Sequence, residues 1–75
     1  MSEAISWEVV LFLSVSHALR AEKLLKEAGI PCKLIPVPRH LSSDCGVCLR
    51  FEPALRTRVE AALKDRVPTG AILPL

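Results

Sequence analysis

Apolar and polar positions follow two rhythms along this chain, and the switches between them mark its elements. Trp7–Val15 (WEVVLFLSV) is a nearly continuous apolar run, rich in β-branched and aromatic residues and of strand length. It predicts a strand buried on at least one face rather than a helix. Ser14 or Ser16 then offers an N-cap. From His17 to Ala28 the period lengthens: Ala18, Ala21, Leu24, Leu25 and Ala28 recur three and four apart, with Arg20, Glu22, Lys23, Lys26 and Glu27 on the other side. That spacing predicts an amphipathic helix. Glu22 and Lys26 make an i,i+4 pair in the favourable order, and Gly29 with Pro31 beyond it ends the helix.

Cys32–Val37 predicts a short strand in which Pro36 cannot donate to a ladder, so this strand belongs at a sheet edge. Pro36 and Pro38 hold its exit extended. Arg39–Gly46 is polar loop, and in Val47–Glu52 the apolar Val47, Leu49 and Phe51 alternate with Cys48 and Arg50, the period of a second strand. Glu52-Pro53 starts another helix, with proline at its first position. Leu55, Val59, Ala62 and Leu63 line its inner side, with Arg56, Arg58, Glu60, Lys64 and Asp65 on the outer side. Val67–Leu75 is a last short strand or an extended tail.

Strand, helix, strand, strand, helix, strand is the βαββαβ pattern, which predicts an α+β, ferredoxin-like fold with two helices packed on one face of a four-stranded sheet. A helix joining the first two strands makes them parallel, so their C-terminal ends share one edge of the sheet. The Arg39–Gly46 loop then emerges beside the start of the first helix, near Ser16 and His17.

Seventy-five residues predict a single domain over 1–75, since domains begin at about 50 residues. A chain of this size buries only about 60% of the surface that its unfolded form exposes. With one Trp, two Phe and no Tyr in a half-apolar composition, the core has to be aliphatic, and there is apolar surface enough to exclude disorder. Dimerisation would add burial, and a homodimer stays open. The formal charge of +2 is spread along both helical segments without a basic block or aromatic interleaving, so we expect no nucleic-acid partner. The apolar run Val9–Leu13 is far below the roughly 20 residues of a membrane span, and no Lys or Arg precedes it as in a secretory signal. A cytoplasmic location and no membrane partner are therefore expected. Three cysteines, an odd number, speak against a disulfide scaffold there.

The chemistry concentrates in Ile35–Arg50, IPVPRHLSSDCGVCLR. Cys45 becomes a nucleophile if its thiolate is favoured by Arg39, His40, His17 or the nearby helix start. Gly46 after it permits unusual backbone angles and close approach. Asp44 opposes ionisation, and the other reading of Cys45 is a semi-buried structural residue at a strand start. Cys45 and Cys48 match CxxC, yet in a strand residues three apart face opposite sides, and no helix follows as a dithiol redox pair requires. Cys32, His40, Cys45 and Cys48 could form a Cys₃His zinc set, but their spacing matches no usual zinc pattern, so no metal and no other cofactor is expected. Arg39 could grip an anion or its own loop, and Ser42-Ser43 could bind an anion or serve the turn. No Ser/His/Asp order, glycine-rich phosphate loop or enclosed carboxylate pair is present, so the residues carry no hydrolase or nucleotide-enzyme apparatus. Whether the chain is an enzyme of another kind stays open at this point.

The chain resembles the small bacterial selenium/sulfur carrier protein-like family. The resemblance rests on Phe12-x-Ser14-x3-Ala18, the run Ala21–Ile30, Leu34-Ile35-Pro36-x-Pro38-Arg39, Ser42-Ser43-Asp44-Cys45-Gly46 and Leu49-Arg50-Phe51. It implies a compact α/β domain whose signature cysteine corresponds to Cys45. On that basis the expected function is a sulfur or selenium carrier. Cys45 would take up a persulfide or selenosulfide from a donor protein and relay it to an acceptor enzyme, with Arg39, His40, Gly46 and Ser43 supporting the thiolate. Cys48 falls where the resemblance implies a small or apolar residue; as a second thiol it could resolve a Cys45 persulfide through a disulfide. The alternative is a non-catalytic ferredoxin-like interaction or regulatory module in which Cys45 is structural.

Overall fold

The computed structural model describes residues 6–41 and 46–75. The strands β1 (Glu8–Leu11), β2 (Lys33–Pro36), β3 (Val47–Phe51) and β4 (Ile72–Pro74) form one sheet in the order β2-β3-β1-β4, and every neighbouring pair is antiparallel. Helix α1 (Val15–Glu27) joins β1 to β2, and a 3-10 turn over Pro53–Leu55 leads into α2 (Arg56–Leu63) between β3 and β4. The chain is thus α+β, with four antiparallel-paired strands and two helices. Both β1 and β2 run antiparallel to β3, so they are parallel to each other and both end at the sheet edge where the 37–46 segment lies.

The first apolar run is divided between two elements. Strand β1 ends at Leu11, and α1 begins at Val15, two residues earlier than the apolar stripe predicts. The divider is Ser14, which is extended (φ −148°, ψ 158°) and accepts the His17 amide on its Oγ at 3.2 Å. A satisfied N-cap there starts the helix before the stripe does. Leu13 and Val15 are consequently exposed instead of lying in a strand.

The other end of α1 closes as a Schellman motif. Gly29 has φ +74°, its amide donates to Lys26 O at 3.0 Å, and the Ile30 amide donates to Leu25 O at 2.8 Å. Both bonds satisfy carbonyls that a helix end leaves open. The Glu22–Lys26 pair forms at 3.5 Å on the exposed side.

Registers show which side of the sheet carries the core. Leu34, Leu49, Val10 and Ile72 stand in one row across all four strands. With Phe12 and Phe51 they pack against Ala18, Ala21 and Leu25 of α1 and Val59 and Leu63 of α2. Side chains alternate along a strand, so Trp7, Val9 and Leu11, Ile35, Cys48, Arg50 and Leu73 lie on the opposite face. Strand β4 is pinned to β1 through Gly70: its amide donates to Leu11 O at 2.6 Å, and a Cβ built on it would stand 3.1 Å from that oxygen. Among the described residues, no helix is long and apolar enough to cross a membrane.

Candidate functional site

Residues 37–41 and Gly46 are positioned by the end of the β2–β3 ladder and by a turn. Pro36 pairs with Val47 as the last register step of β2 and β3, and beyond it the Val37 amide donates to Gly46 O at 3.0 Å. Pro38 O accepts the Leu41 amide at 3.0 Å, which makes a turn of Pro38–Leu41 and presents Arg39 and His40 to solvent. Gly46 is exposed at φ +80°, and a Cβ placed on it meets nothing within 4 Å. Glycine is needed there for its backbone angle, and the space beside it is open.

Cys45 and Ser43, like the remaining members of Ser42–Cys45, lie outside the described residues, as do residues 1–5. Arg39, His40 and Gly46 are therefore placed on either side of Cys45 by the chain alone. Across the same sheet edge stands the first turn of α1, where His17 Nδ1 is enclosed without a hydrogen-bond partner. Ser14, not Ser16, is the cap, a detail that the serine spacing left open, and His17 is therefore the third residue of α1.

The other two cysteines occupy different environments. Cys48 is fully buried in β3, paired across the ladders with Leu11 and Ile35. Cys32 is half-buried just before β2, and its thiol pKa is pushed up, first by burial and then by the Glu22 carboxylate, with Lys26 partly opposing. A raised pKa leaves Cys32 mostly protonated at neutral pH, and the thiolate is the form that attacks. Among the described residues no group of three or more His, Cys, Asp and Glu converges as metal ligands do; the zinc set considered from sequence includes Cys45 and so falls partly outside them.

Residues 8–72 match the model of a protein family described as "Putative Se/S carrier protein-like". No curated protein and no solved structure matches the chain.

Proposed function

Because this chain belongs to the Se/S carrier protein-like family, we propose that it is a small cytoplasmic carrier in which Cys45 accepts sulfur or selenium from a donor protein and relays it to an acceptor enzyme. The observation that carries this reading is the family match over 8–72 taken with Gly46, whose open side and left-handed backbone adjoin Cys45. The other two thiols suit the task less: Cys48 is buried and Cys32 is held in its protonated form. The strand order β2-β3-β1-β4 fits a ferredoxin-like arrangement of one domain.

In the first transfer the Cys45 thiolate attacks the outer sulfur of a donor persulfide. A bond forms between Cys45 Sγ and that sulfur, the donor's S–S bond breaks, and its electron pair leaves on the donor thiolate. The sulfane sulfur changes hands with no net oxidation, and Cys45 is left as a persulfide. The acceptor repeats the step in the opposite sense, and a selenium atom in the same position makes a selenosulfide. Arg39 supplies positive charge that favours the thiolate, and the His40 ring offers an N–H donor. Ser43 supplies a hydroxyl donor, and Gly46 leaves room for the partner's sulfur.

Cys45→Ser tests the reading. The full chain is incubated with a protein persulfide donor and the gain of one sulfur is followed by intact mass. The wild type gains it and the variant, with unchanged thermal unfolding, does not; loading of the variant to the wild-type level would overturn the proposal.

A second reading is favoured by one observation. Trp7, Leu11, Ile35 and Leu73 are only half-buried on the sheet face opposite the helices, and Leu13, Val15 and Leu19 are exposed. An interaction or regulatory module would dock a partner or a second copy through these apolar surfaces, with Cys45 structural. In that case Cys45→Ser lowers stability and leaves loading unaffected.

A further inference from the structure

The end of the sheet remote from the 37–46 segment carries a separate polar feature. Where β1 and β2 begin and β3 ends, Trp7, Pro31, Cys32, Lys33, Arg50 and Glu52 line a pocket of about 150 Å³. That is room for a small molecule or ion.

Its charges are arranged at a cost. Lys33 and Arg50 are direct partners across the β2–β3 ladder, and like charges directly opposite each other destabilise a sheet. The ion pairs among the described residues are Glu22–Lys26, Glu8–Arg56 and Glu60–Arg56, none of which neutralises either cation. The Arg50 guanidinium lies 4.1 Å from the centroid of the Trp7 ring, so its plane is held by stacking. Its Nε is enclosed and has no hydrogen-bond partner, a state that carries the desolvation penalty of an unmatched donor. Glu52 lines the same pocket without joining an ion pair there.

We propose that this pocket binds a small oxygen-bearing anion, held by Arg50 and Lys33 beside the Trp7 ring. An anion placed between the two cations converts their repulsion into two attractions. Its oxygens accept from the guanidinium fork, whose planar geometry matches carboxylates and oxyanions. Lys33 adds a mobile point charge at the rim, and Pro31 with the edge of Trp7 supplies an apolar wall for a short carbon chain. Glu52 opposes this binding, so the pocket favours anions of low charge. Because the site is at the opposite end of the strands from Val37 and Gly46, it stands or falls independently of the carrier reading.

Trp7 is the only tryptophan in the chain, so its emission reports on the pocket. The full-length protein is titrated with sodium acetate, sulfate and phosphate at constant ionic strength, and the Lys33 and Arg50 amide shifts are followed by NMR. At least one anion is expected to give a saturable change in both signals. Its affinity should fall at least about ten-fold in Arg50→Gln, since a charge-assisted hydrogen bond is lost. It should fall several-fold in Lys33→Gln, stay unchanged in Lys23→Gln on the exposed side of α1, and rise in Glu52→Gln. Lys33 is exposed, so Lys33→Gln decides the matter if Arg50→Gln does not fold. Acetate outbinding sulfate would identify a carboxylate site, and the reverse an oxyanion site. No saturable response to any of the three, or equal affinities in the wild type and Lys33→Gln, would overturn the proposal.

Discussion

The Val37 amide donates to the Gly46 carbonyl at 3.0 Å, so the β2–β3 ladder continues past Pro36 and Val47 and clamps the segment that bears Cys45 at both ends. Gly46 can hold its half of the clamp because it adopts φ +80°. Alanine at that angle is strained by about 1–2 kcal/mol, and with nothing within 4 Å of the added methyl the whole cost is backbone. Gly46→Ala is expected to lower the melting temperature by roughly 4–8 °C per kcal/mol lost. It should also raise hydrogen exchange at the Val37 amide, as read by NMR.

Ser14 decides where β1 gives way to α1. Its Oγ accepts the His17 amide at 3.2 Å, and losing such a cap costs about 1 kcal/mol. Ser14→Ala should show that loss in denaturant unfolding with an unchanged slope. Ser16→Ala, one residue inside the helix and exposed, should stay within about 0.5 kcal/mol of wild type.

Cys32 makes stability depend on pH. Burial and Glu22 raise its folded pKa above the unfolded value. The folded state therefore holds the proton more tightly, and the resulting stabilisation is complete below the unfolded pKa. It is lost as pH rises through the folded pKa. Stability should accordingly decline as pH climbs beyond about 8.5, and Cys32→Ser should flatten that decline. A decline of equal steepness in the variant would assign it to other groups.

Much of the fold was legible because its signals are local. The three-and-four spacing of Ala18, Ala21 and Leu25, the glycine after Ala28, the Glu22–Lys26 pair and the alternation of Val47, Leu49 and Phe51 each act within a few residues, and each has its counterpart in the structure. The edge position of the strand holding Pro36 followed from its missing donor. The division of Trp7–Val15 was not legible, because an apolar run reads alike on either side of a cap. Gly70 was missed for a related reason: its close approach to Leu11 O involves residues 59 apart in sequence. The opposition of Lys33 and Arg50 depends on cross-strand register, which neither strand carries alone. Of the candidate site, the unusual backbone angle at Gly46 was readable from the glycine itself, whereas the turn that closes from Pro38 to Leu41 was not, since the two prolines read only as an extended exit. The enclosure of His17 Nδ1 and the raised pKa of Cys32 needed the packed structure.

The most direct measurement is site-resolved thiol reactivity. The folded protein is treated with a small alkylating agent across a pH series and the modified cysteines are assigned by peptide mass. The carrier reading predicts that Cys45 reacts first, with an apparent pKa well below the free-cysteine value of about 8.5. Cys32 should follow only at higher pH, and Cys48 should stay protected until the chain unfolds. Protection of all three cysteines until denaturation, or Cys32 reacting ahead of Cys45, would contradict it and leave the interaction module as the account of this protein.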